Sequence, residues 1–195
     1  MKMIKTFVTA AGMAVSLAAG ATPAHAMDGP ARVAGENFYL SVDLSERRLY
    51  VMRNGEQAGS YAVAIGQPRY PTPTGRYRIR HIVWNPRWVP PDSKWAKNKV
   101  PRGPGDPKNP MGKVKIFFKE PDYYVHGTRE VDSLGQAESH GCLRMRNADV
   151  IALAKQVMEH GGAPREEGWF SRIIHLRWKE HHVSLKSPVA MTVSD

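Results

Sequence analysis

The sequence predicts a mostly β domain carrying one or two helices. Three observations lead there. Short apolar stretches alternate with a period of two, which suits half-buried strands. Turn residues, among them the pair Asn54-Gly55, punctuate those stretches. One segment only, Asn147 to His160, follows a sustained helical period.

Phe38 to Asp43 is rich in aromatic and aliphatic residues and reads as the first strand. Leu49 and Val51 then alternate with Tyr50 and Met52, and Tyr61, Val63 and Ile65 alternate after Asn54-Gly55. A type I′ turn needs φ > 0 at both central residues, and Asn-Gly supplies it. Residues 47–65 therefore read as a hairpin. Gly66 to Gly75 is a Pro/Gly/Thr loop, and Arg76 to Val83 the next strand. Trp84 to Gly112 holds seven prolines and no sustained period. Structureless loops of that length are uncommon in compact domains and are commonly functional or disordered. Val114 to Phe118 and Tyr123 to Val125 read as short strands.

The helix over Asn147 to His160 presents Val150, Ile151, Ala154, Val157 and Met158 as its apolar stripe. Asn147 suits the N-cap, Asp149 the positive end of the helix dipole, and Gly161 the C′ position. Trp169 to Trp178 reads as a second helix, with a strand as the alternative. Val183 to Val193 reads as a last strand interrupted by Pro188. No internal repeat is present.

The 195 residues allow one ordinary domain with a short appendage. With 42% hydrophobic and 24% charged residues, the chain is neither disordered nor fibrous. Lys2 and Lys5 precede an uncharged, mostly apolar run, Thr6 to Ala21. Ala24 and Ala26 then flank a cut before Met27. That pattern is a secretory signal peptide, too short to cross about 30 Å of hydrocarbon. The reading is a signal peptide over 1–26, a linker over 27–36 and one domain over 37–195. No later segment is apolar enough to form a membrane span. Export points to the periplasm, or alternatively to secretion or the cell wall. Removing Lys2 and Lys5 lowers the formal charge from +10 to +8.

Cys142 is the only cysteine, which excludes an intramolecular disulfide and a Cys-rich metal centre. It ends the run Ser139-His140-Gly141-Cys142, with His126-Gly127-Thr128 upstream at the end of a predicted strand. A thiol of pKa about 8.5 needs a nearby imidazole to become a nucleophile at neutral pH. His140 is two residues away, where in-line reach is poor, whereas His126 can approach from a neighbouring strand. His126 is therefore the better geometric choice for the base. Gly127 and Gly141 permit close backbone approach, and the Gly141 and Cys142 amides can face a developing oxyanion. Two other readings compete. Cys142 could be an inert buried hydrophobe. It could also join His126 and His140 in a zinc site, although a fourth ligand and the usual spacing are missing. His81, His160, His175, His181 and His182 have no such surroundings and read as surface or packing residues.

On these residues the chain resembles the YkuD-type L,D-transpeptidases, cysteine enzymes that cross-link peptidoglycan. The match rests on His126-Gly127-Thr128 followed by Ser139-His140-Gly141-Cys142-Leu143-Arg144-Met145. Thr72-Pro73-Thr74-Gly75 with Tyr77 and Ile79 resembles the family's TPTG loop and strand. Asn85-Pro86 through Trp88, Pro90 and Pro91 resembles its lid. Gly103-Pro104-Gly105, Asn109-Pro110 and Met111-Gly112 resemble the stretch before the catalytic strands. Val42-Asp43-Leu44-Ser45 with Leu49-Tyr50-Val51 resembles the opening hairpin. The likeness runs from Asn37 to His160. It departs after Gly162, where Pro164 to Lys179 precedes the closing strand.

The resemblance implies a β-sandwich with a lid over about 84–112, and no cofactor or metal. It implies Cys142 as nucleophile, His126 as base oriented by the Gly127 carbonyl, and an oxyanion hole from the Gly141 and Cys142 amides. Ser139, His140 and Thr128 would shape the site and meet substrate, and Arg144 would bind a substrate carboxylate, as a planar fork can. The implied partners are peptidoglycan stem peptides and carbapenem-type inhibitors, with an envelope-protein lysine as a possible acceptor. The net positive charge could also suit nucleic acid. The basic residues are scattered, however, and the chain is read as exported, so an acidic wall is the more natural partner and nucleic acid is not expected.

Overall fold

The computed structural model describes residues 35–195. The signal peptide and most of the linker lie outside the described residues. Strands β1 (Phe38–Asp43), β2 (Arg48–Arg53) and β3 (Glu56–Ala62) form an antiparallel meander. Asn54 and Gly55 turn the hairpin with φ of 52° and 81°, the left-handed pair that a type I′ turn requires. The hairpin stops at Ala62, earlier than the alternation predicted. Ile65–Gly66 is a separate strand, β4, that pairs in parallel with β8 (Ala137–Ser139).

Six further elements complete the sheet and its cover. They are β5 (Gly75–Trp84), β6 (Val114–Lys119), β7 (Tyr123–Thr128), β9 (Leu143–Arg146), β10 (His181–Ser194) and the helix α1 (Asn147–His160). The eight-stranded sheet runs β3-β2-β1-β10-β5-β6-β7-β9. β10 is central, parallel to β1 and antiparallel to β5. Its register with β5 slips between Ser184 and Val189, around Pro188, which has no N–H for the ladder.

The two edges of this sheet meet. Ala64, just past β3, and Arg144 on β9 exchange N–H···O bonds of 3.0 Å in both directions. The sheet so folded forms a sandwich around one core. Leu40 and Val42, Leu49 and Val51, Ile79 and Ile82, and Val125, Leu143 and Met145 all belong to it.

Helix α1 closes the core with Val150, Leu153, Ala154, Val157 and Met158. Leu153 takes the place predicted for Ile151, which is only half-buried. Arg146 occupies the N-cap, not Asn147, whose amide binds elsewhere. The C′ glycine is Gly162 (φ 70°), one residue later than predicted. Ala163 N–H reaches Met158 O at 2.8 Å and Gly162 N–H reaches Glu159 O at 3.2 Å, a Schellman stop. The second helix exists as α2 (Glu167–His175), with Phe170 and Ile173 buried and Phe170 against Trp84 at 5.2 Å between ring centroids.

The segment after Trp84 is ordered by few regular bonds. Trp88 and Arg102 bridge through two 2.8 Å backbone bonds, and Lys94–Ala96 forms a 3-10 turn. No helix among the described residues is long and apolar enough to cross a membrane.

Candidate active site

β7 and β9 run parallel, with Val125 opposite Leu143 and His126 opposite Arg144. Side chains alternate along a strand. Val125 and Leu143 enter the core, so Tyr124, His126 and Arg144 face the other side, with Cys142 directly before β9. β6 adds to that face, with Lys115 opposite His126 and Phe117 opposite Tyr124. The structure therefore brings the predicted nucleophile and base together on adjacent strands.

His126 is buried, and its Nδ1 lies 2.8 Å from the Gly127 carbonyl oxygen. A carbonyl only accepts, so Nδ1 carries the proton and the lone pair is on Nε2. Burial pushes the imidazole down to about 3, against the opposing pull of the Gly127 carbonyl. Burial likewise pushes the Cys142 thiol up to about 11. The Tyr124 N–H, the Lys115 ammonium and the Tyr124 hydroxyl act in the opposite direction, each favouring a thiolate. Cys142 Sγ donates to Asp122 O at 3.2 Å. The resting site thus pairs a neutral thiol at the entry to β9 with a neutral imidazole on β7 whose lone pair is on Nε2.

Ser139, expected to meet substrate, is buried and holds the turn together. Its Oγ donates to Cys142 O at 2.5 Å and accepts Gly141 N–H at 3.0 Å. That bond occupies the Gly141 amide expected in the oxyanion hole. Gly141 has φ of 106°, and a methyl there would lie 2.9 Å from the Tyr123 ring, so the turn into Cys142 requires glycine. Thr128 is also buried, and its Oγ1 accepts Glu130 N–H at 3.0 Å. That bond closes a turn after β7. His140 lies under the lid, its ring 3.9 Å from that of Trp95 and 5.0 Å from that of Tyr70. Arg144 binds the exposed Glu130 carboxylate through Nη1 at 2.6 Å. A substrate carboxylate at Arg144 must share or replace that partner.

Three residues of this site escape sequence reasoning. Lys115 is half-buried, its Nζ 3.0 Å from Arg87 O and 4.7 Å from the Tyr124 ring centre. Burial lowers its pKa, while the nearby thiol acts to raise it. Tyr124 packs edge-on to His126 at 5.6 Å. Its place two residues before His126 in a strand was the available signal, because that spacing shares a face. Asn147 accepts Lys113 N–H at 2.9 Å and donates to Thr128 O at 3.0 Å. It wedges between Gly112 and Gly127, where added methyls would fall 2.3 Å and 2.2 Å from its Oδ1. Among the described residues no three His, Cys, Asp or Glu side chains converge on a metal position. The other histidines pack: His160 stacks on Phe38 at 4.0 Å, and His81 on His182 at 5.2 Å.

The sequence pattern of the YkuD family, the L,D-transpeptidase catalytic domain, matches residues 37–180. The chain belongs to the YkuD family. It is 28% identical over 120 residues to the L,D-transpeptidase-named YkuD of Bacillus subtilis, covering 62% of this chain and 60% of that one. It is 32% identical over 124 residues to YqjB of the same organism, similarly named, covering 61% and 65%. The chain thus spans less than two thirds of the length of these relatives. The catalytic domain of the Enterococcus faecium L,D-transpeptidase, solved by NMR, shares the fold (TM-score 0.51, 15% identity, 83% of this chain and 100% of that domain). So does an L,D-transpeptidase from Stackebrandtia nassauensis (TM-score 0.50, 17% identity, 88% and 61%). In this YkuD-family domain the motif residues lie on β7, at the end of β8, in the turn that follows it and on β9.

Proposed function

We propose that this YkuD-family chain is a peptidoglycan L,D-transpeptidase acting through a Cys142 thioester. The supporting observation is the placement of His126 on β7 and of Cys142 in the turn that enters the adjacent β9, with the Gly127 carbonyl holding Nδ1–H. The thiol proton passes to His126 Nε2 as sulfur bonds the carbonyl carbon between an L-centre and D-alanine in a stem peptide. The carbon–nitrogen bond then breaks. The imidazolium returns its proton to the leaving amine, and D-alanine departs. An amine of a neighbouring stem attacks the thioester, His126 takes its proton, and sulfur leaves to regain a proton. The product is a 3→3 cross-link. Tyr124 N–H and Lys115 stabilise sulfur as it becomes anionic on the way to attack and again as it leaves the thioester.

Water as acceptor makes the same site an L,D-carboxypeptidase, and a protein lysine makes it an anchoring enzyme. Export to the periplasm, followed by attraction of a basic domain to an acidic wall, belongs to the same proposal. Carbapenems, which carry a strained acyl group, are expected to acylate Cys142.

Mass spectrometry after incubation with a carbapenem tests the nucleophile: one adduct on Cys142 is expected, and folded protein without one sinks the proposal. Muropeptide analysis of treated sacculi then separates 3→3 dimers from simple loss of D-alanine. Cys142→Ala should abolish the products and leave wall binding intact. Unchanged products would instead assign them to a contaminant, and binding without products in the wild type would make the domain a wall-binding module.

A further inference from the structure

Between the segment before β6, the residue after β7, the start of α1 and the segment after α2 lies a cavity of about 60 Å³. At roughly 30 Å³ per water, it has room for two waters or one small oxyanion. Lys113, Arg129 and Arg177 line it from three separate segments. Lys113 and Arg177 pair with no carboxylate among the described residues, and Arg129 Nη1 donates to Pro107 O at 2.6 Å. One carboxylate, Asp106, also lines the cavity, but it is engaged. Its Oδ1 accepts Lys108 N–H at 2.7 Å and its Oδ2 lies 3.5 Å from Arg102 Nη1.

The walls are built rather than incidental. Asn85, Gly105 and Gly112 hold left-handed φ of 48°, 76° and 62° around the cavity. For the two glycines that conformation is freely available, whereas at Asn85 it is uncommon and needs support from surrounding structure. The buried Asn85 amide is fixed by the carbonyls of Ile173 and Leu176. Burial and then the two guanidinium groups lower the Lys113 pKa, so its charge lacks compensation here. Three cations from three directions fit a tetrahedral, multiply charged ligand better than a planar carboxylate, which offers two oxygens in one plane.

We propose that this cavity is an oxyanion site that takes a phosphate group, separate from the cysteine site. The ligand would join the base of the lid, the segment after α2 and the end of β7 in one network. It goes beyond the transpeptidase reading and does not depend on it.

Titration of the full-length chain with inorganic phosphate tests it, by calorimetry and by thermal unfolding at constant ionic strength. Saturable binding and a phosphate-dependent rise in Tm are expected. Arg177→Gln and Arg129→Gln, both at exposed positions, should each weaken binding about tenfold or more, the scale of one lost charge-assisted hydrogen bond. Lys113→Met should do the same, and circular dichroism shows whether each variant is folded. Displacement of phosphate by glycerol 3-phosphate would assign the natural ligand to a phosphate ester. Failure to displace would assign it to the free ion. No saturable binding by the wild type would overturn the site, as would full wild-type affinity in both arginine variants.

Discussion

At Cys142, burial and local charge act in opposite directions. Burial holds the thiol up to about 11, while Tyr124 N–H and the Lys115 ammonium favour its anion. Alkylation of the resting thiol by iodoacetamide should therefore keep rising through the alkaline range, and a plateau below pH 8 would refute this. Lys115→Met should shift that profile further upward, and Lys115→Arg should restore much of it. His126 adds a stability signature. Its imidazole titrates near 6.5 in the unfolded chain and near 3 when folded. Between those values the unfolded state binds more protons, so stability is lost as pH falls from 6.5 toward 3. Urea unfolding at pH 7 and pH 4.5 should show a smaller difference in His126→Gln than in the wild type. The candidate nucleophile and base stand out in the sequence because each sits in a short motif. The occupied Gly141 amide and the Arg144–Glu130 pair were not, because Ser139 and Glu130 choose their partners only after the turns close.

Among the elements, β7, β9 and the start of α1 act as one unit. Asn147 bridges Lys113 N–H and Thr128 O, next to the Gly127 carbonyl that orients His126. Asn147→Ala should cost about 1–3 kcal/mol, since it leaves buried backbone groups unpaired. Asn147→Asp can still accept from Lys113 but cannot donate to Thr128. It should therefore keep more stability than activity, a split visible in denaturation and turnover measured together. At the far end, Gly162→Ala should destabilise by about 1 kcal/mol, because its φ of 70° strains any side chain. Most strands and the first helix followed from local periodicity and the turn from the Asn54-Gly55 pair, whereas the short strands β8 and β9 carry no such signal. Element ends did not. Asn147 leaves the N-cap for a tertiary partner, and Ile65 leaves the hairpin for β8 because pairing across the molecule outweighs simple alternation.

For the molecule as a whole, the formal charge of +8 that remains once Lys2 and Lys5 are removed predicts adhesion to acidic sacculi that weakens with salt. Sedimentation with purified sacculi at 50 mM and 500 mM NaCl measures it, and equal binding at both would count against electrostatic attraction. The sequence by itself determined a mostly β chain, a single thiol in a glycine-flanked His-rich setting and a candidate histidine to serve it, because each signal lies within a few neighbouring residues. Only the tertiary structure decided which side chains share the catalytic face, how the sheet edges meet through Ala64 and Arg144, and where Lys113, Arg129 and Arg177 converge. Those outcomes depend on pairing between segments far apart in the chain. That pairing is set by the burial of a common core, a property of the folded whole rather than of any local stretch.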